Sequence, residues 1–454
     1  LFYYAMQLED ATESLSTTSK YIIKTDEKLR KFLSSLPFEL TDGQKSVLRE
    51  IYLKMKKGER VNSLVQGDVG SGKTIVAIIL MILASENGYQ STLMAPTNVL
   101  AKQHYEDLKE KVKDLGINVV FMSGDMKVRE RKKILEEIKT GEANMIVGTH
   151  AVISKDVEYS NLGLTIVDEE HRFGVAQRNA LKAKAKEGVH SVTMSATPIP
   201  RTLAMAIYGE NIDVHTIKTL PQGRKPVKTT LISEEDKAYN FMYKEIKEGR
   251  QCYVVCPLIE DSDSEALAEV DSVEATYEKM CKYFSKYPEV KIAMISGKMK
   301  QAEIQEEIEK FAKNEYNIII STTIIEVGVN VPNSTVITIK NAERFGLSQL
   351  HQLRGRVGRG SYQSYCILIS EKTDNPKLQA MCETTDGFKI AEIDLKLRGT
   401  GDFIGTKQSG QNEYVMLMLS YPKLYERIRA LAKEIYSDKE RLKKYKFIQD
   451  LFEK

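Results

Sequence analysis

The sequence predicts an α/β protein with two tandem parallel-sheet domains and a mainly helical C-terminal segment. Short apolar segments alternate with amphipathic, charged ones along most of the 454 residues. Such alternation is typical of parallel strands that are covered by helices on both faces. It resumes after a loop at 217–227 that contains two prolines and a glycine, which indicates a boundary between two domains. The third observation is a glycine-rich loop between the first apolar strand segment and the first long apolar helix segment.

The composition excludes several classes of protein. Hydrophobic residues make up 42% and charged residues 28% of the chain, with only 11 prolines, which excludes a disordered tail or a collagen-like repeat. The longest uncharged apolar run, Ile75–Ala84, is about half as long as a membrane span. The first thirty residues carry several charges and no apolar region of the signal-peptide type, so we expect neither a membrane span nor a signal peptide. Five cysteines are few and odd in number, so we expect free thiols in a reducing, cytoplasmic compartment. The net charge of +3 is too small to indicate an anionic partner.

Eleven apolar segments are predicted to be strands, because each ends in small or polar residues. Those of the first domain are 62–66, 91–95, 117–122, 144–147, 164–167 and 191–194, with helices expected at 100–112 and 128–139. Those of the second domain are 251–257, 290–295, 316–320, 335–339 and 364–369. The predicted units are a helical N-terminal segment at 1–36, a first domain at 37–220, a second domain at 221–385 and a helical C-terminal segment at 386–454, which a glycine-rich stretch at 399–410 interrupts.

A complete G-x-x-x-x-G-K-T pattern follows the first predicted strand and precedes a helix, which is the context that this pattern requires. Its backbone N–H groups can surround phosphate oxygens, and the positive end of the helix dipole adds to their attraction. Lys73 supplies a charge to the β- and γ-phosphates, and Thr74 offers a hydroxyl to Mg²⁺. We therefore predict a nucleotide site, against the alternative of a simple glycine-rich turn, at Gly67, Asp68, Val69, Gly70, Ser71, Gly72, Lys73 and Thr74.

A polar cluster follows the apolar strand segment 164–167. Ligand groups in an open parallel sheet lie at the carboxyl ends of the strands, so this cluster is expected to face the glycine-rich loop. Asp168 is predicted to hold Mg²⁺, and Glu169 to polarise an attacking water as a general base. The alternative is a solvated polar loop, which is less favoured because the polar cluster occurs together with the glycine-rich phosphate-binding pattern. The cluster consists of Asp168, Glu169, Glu170 and His171.

These two patterns resemble the P-loop and the DExH box of superfamily 2 helicases, and further motifs of that family follow in order. The resemblance implies two tandem RecA-like domains with ATP and Mg²⁺ as cofactors. Phe38 and Gln44 resemble the motif that reads adenine. The other matching segments are 95–97, 148–150, 195–197, 295–299, 321–329 and 352–359.

The resemblance also implies roles for single residues outside the two patterns. Arg356 and Arg359 would be arginine fingers of the second domain that reach the γ-phosphate when the cleft closes, against the alternative of a solvated basic loop. The residues expected to couple hydrolysis to domain movement are Ser195, Thr197, Gln352, Arg398 and Gln408. The residues expected to contact the phosphate backbone of DNA are Thr97, Thr149 and Thr323.

Five longer segments are similar to the RecG family of ATP-dependent DNA helicases. These segments are 168–174, 195–204, 220–227, 349–355 and 394–410. The resemblance implies a double-stranded DNA translocase that remodels stalled forks and Holliday junctions in recombination and repair. Expected partners are branched or duplex DNA and single-strand-binding protein, with no membrane, and the chain is expected to be a monomer. Asn330 stands where the family often has Asp. The residues before the first domain are too few to encode the family's wedge domain, so we expect a motor core without it.

Three other interpretations stay open at the level of sequence. The first is the motor of a transcription-repair coupling factor, although such motors usually have Gln where this chain has His171. The second is a nucleotide-gated nucleic-acid-binding module that does not translocate. The third is a generic RNA helicase.

Overall fold

The described part of the chain forms two parallel β-sheets that are each flanked by helices, in a computed structural model. The two sheets use separate stretches of sequence, so the predicted fold class of two tandem parallel-sheet domains is confirmed. The residues that the structure describes are 2, 5–6, 18–169, 173, 177, 180–181, 184, 188–196, 204, 212–219, 225–257, 265–322, 331–398, 417 and 421–438.

The first sheet has seven parallel strands in the order β3-β4-β2-β5-β6-β1-β7. Their bounds are β1 Asn62–Gly67, β2 Gln90–Met94, β3 Val119–Met122, β4 Met145–Gly148, β5 Leu162–Val167, β6 His190–Ser195 and β7 Asp213–Ile217. The inner strands β2 and β5 are buried along their whole length, as expected for a sheet that is covered on both faces. Because all strands run the same way, their carboxyl ends share one edge of the sheet.

Five helices accompany this sheet in the described residues, and they are α1 Glu27–Ser35, α2 Asp42–Lys57, α3 Lys73–Glu86, α4 Asn98–Val112 and α5 Val128–Thr140. Helix α2 begins with a reciprocal capping box between Thr41 and Gln44, and it ends at Gly58 in the left-handed conformation. Helix α3 is buried on all sides because it packs on the sheet and also against α1 and α2. This burial explains why the apolar run Ile75–Ala84 has no polar face.

The second sheet has six parallel strands in the order β10-β11-β9-β12-β13-β8. They are β8 Lys228–Ile232, β9 Gln251–Val255, β10 Ile292–Ile295, β11 Ile318–Ser321, β12 Ser334–Ile339 and β13 Tyr365–Ile369. The helices of the same region are α6 Glu235–Lys247, α7 Glu265–Phe284, α8 Gln301–Ala312, α9 Leu347–Arg354, α10 Pro376–Glu383 and α11 Gly387–Arg398, and α12 Pro422–Ser437 follows. All five cysteines are free thiols, as predicted.

The sequence prediction missed two strands and overextended two segments. Strands β7 and β8 were not predicted, and the predicted linker loop begins too early because Ile217 is the last residue of β7. Both missed strands lie at sheet edges, where a strand is only partly covered and its sequence need not be apolar. The expected helical segment 1–36 is also wrong in part, because residues 21–26 are irregular and Thr18 forms an isolated bridge with Glu59.

The two halves of the chain touch each other. Val99, at the start of α4, packs against the hydrophobic core of the second half. Near the chain ends, Ala5 and Met6 pack against Ala432 of α12. The predicted boundaries at 36/37, 220/221 and 385/386 stay predictions. Within the described residues, we find no helix long and apolar enough to cross a membrane.

Candidate active site

Five sequence motifs lie at the carboxyl edge of the first sheet, because they follow β1, β2, β4, β5 and β6. Neighbouring motifs are joined directly. The Asp168 N–H donates to Met94 O at 2.9 Å, and the Ala95 N–H donates to Gly148 O at 2.9 Å. The parallel topology therefore brings together residues that range in sequence from Gly67 to Ser195.

Two glycines shape the P-loop, since Gly70 and Gly72 have φ values of 78° and 82°, which side chains rarely adopt. A Cβ atom on Gly72 would also collide with Nε2 of Gln44. The Gln44 amide donates from Nε2 to Ser71 O at 2.9 Å, and its Oε1 accepts the backbone N–H that precedes α2 at 2.9 Å. The predicted adenine-reading glutamine thus ties α2 to the loop. Phe38 is 50% exposed, so its ring is accessible for stacking.

Lys73 is the first residue of α3, and its ammonium group turns back into the loop. Nζ donates to two loop carbonyl oxygens at 2.7 and 3.0 Å. Burial lowers the pKa of Lys73, and the negative charges of Glu169, Asp168 and Asp68 oppose that effect. The positive charge of Arg359 adds to the lowering, although Arg359 belongs to the second half. Lysine, carboxylates and arginine therefore form one electrostatic cluster.

The Asp168 carboxylate is held by hydrogen bonds to both of its oxygens. His104 Nε2 lies 2.8 Å from Oδ2, and Oδ1 accepts the Glu169 N–H at 3.0 Å. Burial by itself raises the pKa of Asp168, but the hydrogen bond and charge of His104 and the charge of Lys73 outweigh it, so the pKa lies below its ordinary value. Glu169 has a φ of 49°, an uncommon conformation for a residue with a side chain and one often found at functional sites.

The donor set of this edge fits Mg²⁺. Asp168 is ionised, and the half-buried Thr74 offers a hydroxyl in the first turn of α3. Such hard oxygen donors suit Mg²⁺, which is usually bound by one or two protein groups together with phosphate oxygens and water. No group of three or more His, Cys, Asp or Glu suited to a metal occurs in the described ranges.

The second half lies directly on the P-loop. A Cβ atom on Gly355 would be only 2.6 Å from Cγ1 of Val69, so the backbone at Gly355 lies directly against the Val69 side chain. Arg359 Nε donates to Gly355 O at 3.2 Å, which holds the arginine beside this contact. Burial raises the pKa of Tyr253 to about 12, and the charges of Arg359 and Arg356 act in the opposite direction. Both arginines thus lie near β9, and Arg359 also acts on Lys73.

Comparisons with known proteins agree with this geometry. Family models match residues 41–206 (DEAD/DEAH box helicase), 236–361 (helicase conserved C-terminal domain) and 384–446 (ATP-dependent DNA helicase RecG, domain 3, C-terminal). The chain is 46% identical over 421 residues to the ATP-dependent DNA helicase RecG of Staphylococcus epidermidis, and 46% identical over 424 residues to that of Staphylococcus aureus. The chain belongs to the RecG helicase family.

Each of the two RecG relatives is matched over 92% of this chain but only 61% of its own length. A solved structure of RecG bound to a three-way DNA junction has 36% identity and a TM-score of 0.72, and the match covers 92% of this chain and 55% of the RecG chain. Dbp5 of S. cerevisiae bound to RNA and ADP BeF3 has 16% identity, a TM-score of 0.57 and coverage of 94% and 99%. The Dbp5 likeness concerns the fold alone.

The remaining residues that the RecG resemblance singled out are only partly brought to the cleft. Thr97 caps α4 by accepting the Leu100 N–H at 3.4 Å, whereas the Thr149 hydroxyl is buried without a hydrogen-bond partner among the described residues. Ser195 is buried at the end of β6, and Gln352 is half-buried on α9. The residues outside the described part of the chain are Glu170, His171, Thr197, Thr323, Asn330, Gln408 and the side chain of Arg398.

Two histidines at this RecG-type cleft were missed by the sequence prediction. His104 bonds to Asp168, and His351 on α9 bonds to Asp68 in the P-loop. Each histidine is distant in sequence from its partner, so no spacing pattern connects them. For His104 the only available signal was a lone histidine on the otherwise apolar face of a predicted helix, whereas His351 lay within the RecG-like segment 349–355 without a role assigned to it.

Proposed function

We propose that the chain is an ATP-hydrolysing motor that moves along duplex DNA and remodels branched DNA, such as stalled forks and Holliday junctions, in recombination and repair. One observation carries this proposal, namely that the loop of the second half that holds Arg359 lies against the P-loop of the first, where Gly355 meets Val69 and Arg359 donates to Gly355 O. The relatives supply the substrate class, since they are named ATP-dependent DNA helicases and one solved RecG is described as bound to a three-way DNA junction. Their activity is a proposal for this chain, which spans 61% of their length.

The P-loop amides and Lys73 would hold the β- and γ-phosphates of ATP. Thr74 and Asp168 would hold Mg²⁺, which when bound supplies positive charge to the phosphate oxygens. The hydrogen bond from His104 keeps the Asp168 carboxylate in one orientation and favours its ionised form. Gln44 bonds the loop from the first turn of α2, which supports its assignment to the adenine, and the exposed ring of Phe38 precedes the same helix.

Glu169 would accept a proton from the attacking water as the water oxygen forms its bond to the γ-phosphorus. The bond between that phosphorus and the bridging oxygen breaks, its electron pair stays on ADP, and phosphate leaves. Arg359 and Arg356 would neutralise the charge that spreads over the γ-phosphoryl oxygens. Since both arginines belong to the second half, hydrolysis requires a closed cleft, and this requirement couples chemistry to movement of the halves.

Some expectations stand on the resemblance to RecG rather than on contacts. We infer a cytoplasmic location, which the free thiols support. A monomeric state and single-strand-binding protein as a partner are proposed on the resemblance alone. Duplex backbone contacts by Thr97, Thr149 and Thr323 also stay proposals.

The three rival functions are separated by specific observations. The match of residues 384–446 to the RecG C-terminal model favours RecG over a coupling-factor motor. The likeness to an RNA-bound helicase is confined to the fold at 16% identity, so it gives no support to an RNA substrate. A nucleotide-gated binding module would share the whole cleft, and only a measurement of movement distinguishes it from a motor.

The decisive experiment is ATPase activity of the chain with forked DNA, linear duplex, single-stranded DNA and RNA, with Lys73→Ala as the inactive control. We expect the strongest stimulation by forked or linear duplex DNA, and no hydrolysis by the control despite an unchanged melting temperature. ATP-dependent displacement of a triplex strand tests movement. Hydrolysis at the wild-type rate in the Lys73→Ala variant, or stimulation by RNA alone, would contradict the proposal.

A further inference from the structure

His351 joins the two halves of the chain by a partly buried hydrogen bond. It lies on α9 of the second half and is 4% exposed, and its Nε2 is 2.6 Å from Oδ1 of Asp68 in the P-loop. Asp68 also bonds its own loop, because Oδ1 accepts the Val69 N–H at 2.6 Å. One carboxylate oxygen of Asp68 therefore holds both the P-loop backbone at Val69 and the side chain of His351 on α9.

The partner on the other side of the imidazole defines the direction of this bond. Arg354 Nη2 lies 3.0 Å from His351 Nδ1, and an arginine can only donate. Nδ1 is therefore the acceptor, so the hydrogen on Nε2 points to Asp68. In this arrangement the guanidinium donates to the imidazole and the imidazole donates to the carboxylate, so each group has a hydrogen-bond partner.

The series continues beyond α9 into the next two helices. Arg354 is buried, and its Nη1 donates to Met381 O at 2.9 Å and to Thr384 O at 2.8 Å. These carbonyls lie in the last turn of α10 and in the short connection that leads to α11. A displacement of the P-loop at Asp68 would thus be transmitted through the side chains of His351 and Arg354 to the connection between α10 and α11.

Gly387, the first residue of α11, leaves room for the pair. A Cβ atom there would lie 2.7 Å from His351 Nε2 and 3.2 Å from Asp68 Oδ1, too close to the two bonded atoms for them to stay in place. The φ of Gly387 is not positive, so the backbone does not require a glycine. The close approach of α11 to the Asp68–His351 bond is therefore a packing requirement at this position.

We propose that His351 is a positioning residue that links the P-loop to the α10–α11 connection, and that its bond to Asp68 stabilises the closed cleft. Nucleotide that enters the P-loop would bind better when this bond is made, and closure would be passed to α11 and the residues after it. The inference rests on the proposed function, because a link of this kind matters only if the cleft opens and closes.

The test uses four variants of the full chain and measures the affinity for a fluorescent ADP, which does not depend on hydrolysis. His351→Leu removes the bond, and we expect about tenfold weaker binding, the effect of one charge-assisted hydrogen bond. His351→Gln keeps a donor near the position of Nε2 and should restore affinity to within about twofold. Gly387→Ala should weaken binding as His351→Leu does, although both members of the pair stay in place.

The fourth variant is the matched control His215→Leu. His215 is also buried and bonds a carboxylate, Glu50 at 3.0 Å, but both residues belong to the first half. Its loss should lower the melting temperature without a change in ADP affinity. If His351→Leu binds ADP as tightly as wild type, or if His351→Gln is as defective as His351→Leu, the proposal is wrong.

A double variant separates a shared effect from two independent ones. If Gly387 acts only by leaving room for the bond, Gly387→Ala combined with His351→Leu should bind ADP no worse than His351→Leu alone. Additive losses would overturn the role assigned to Gly387 and His351 together. Absence of ATPase in the wild-type chain would instead contradict the proposed function, and the ADP measurements would still report on the link.

Discussion

Asp168 illustrates how a single carboxylate at this cleft depends on a residue that no motif includes. Its Oδ2 is 2.8 Å from His104 Nε2, and both side chains are almost fully buried. A carboxylate that is free to rotate would present its oxygens in several orientations, whereas the histidine restricts it to one. His104 therefore belongs to the site through its effect on Asp168.

Replacement of His104 by Ala should lower the affinity for Mg²⁺, so that a higher Mg²⁺ concentration is needed to support nucleotide binding. Loss of an outer ligand of this kind typically costs about 10- to 100-fold in metal affinity. The measurement is a titration of fluorescent ADP binding with Mg²⁺, and Mg²⁺-free ADP affinity serves as the internal control. An unchanged Mg²⁺ midpoint in His104→Ala would show that Asp168 is oriented without the histidine.

His190 makes stability depend on pH. Nδ1 accepts the Val61 N–H at 3.1 Å, so Nε2 carries the hydrogen and donates to Tyr21 O at 2.8 Å. Burial lowers the pKa of His190 to about 4 from 6.5. Between these values the unfolded chain binds more protons than the folded chain, so the free energy of unfolding falls as the pH falls.

We expect His190 to contribute a loss of about 2 kcal/mol in the free energy of unfolding between about pH 6.5 and pH 5. Urea denaturation of wild type and His190→Gln over that interval measures it, because glutamine does not titrate. His215, whose pKa burial also lowers, contributes with the same sign in both proteins. Parallel pH profiles for the two proteins would show that His190 does not titrate in this range.

At the scale of elements, the N-terminal end of α2 is fastened to the P-loop by one side chain. Gln44 bonds the loop through Ser71 O and the helix start through the Thr41 N–H. The helix and the loop therefore move together, although they are separated by β1.

Gln44→Ala should weaken ADP binding about tenfold, because the hydrogen bond that ties the loop to α2 at Ser71 O is lost together with the one that caps α2. Gln90→Ala is a matched control, since this buried glutamine of the same half donates to Ile138 O at 2.9 Å and Ala143 O at 2.8 Å at the start of β2. We expect the control to lower stability while ADP affinity, measured by fluorescence, stays within about twofold of wild type. Equal affinities of Gln44→Ala and wild type would contradict a role for α2 in shaping the loop.

The same scale explains which elements could be predicted from sequence. The inner strands are almost entirely buried because helices cover both faces, and all eleven predicted strands are present with ends shifted by at most two residues. The edge strands β7 and β8 were not predicted, because one side of each is open and their sequences therefore include polar residues. These sequences are Asp-Val-His-Thr-Ile and Lys-Thr-Thr-Leu-Ile. The P-loop and the acidic cluster were found because each is continuous in sequence. The bonds of His104 and His351 were not, since they join distant elements.

For the molecule as a whole, the active site is assembled from two separately packed halves. The P-loop lies on the core of the first half, whereas the loop with Gly355 and Arg359 lies on that of the second. The contact of Gly355 with Val69 and the charge of Arg359 near Lys73 exist only because the halves are closed on each other. Removal of Arg359 is therefore equivalent, for the chemical step, to leaving the cleft open.

Arg359→Ala should lower kcat for ATP hydrolysis about a thousandfold, the lower range of what an arginine finger contributes. ADP affinity should change far less, because the P-loop of the first half is intact. Arg250→Ala is the matched control: Arg250 also belongs to the second half, where it precedes β9 and its guanidinium stacks on the Tyr362 ring. Steady-state ATPase with saturating duplex DNA measures both variants. A kcat for Arg359→Ala within about tenfold of the Arg250→Ala value would mean that the second half does not take part in the chemistry, and that movement of the halves is coupled to nucleotide by some other contact.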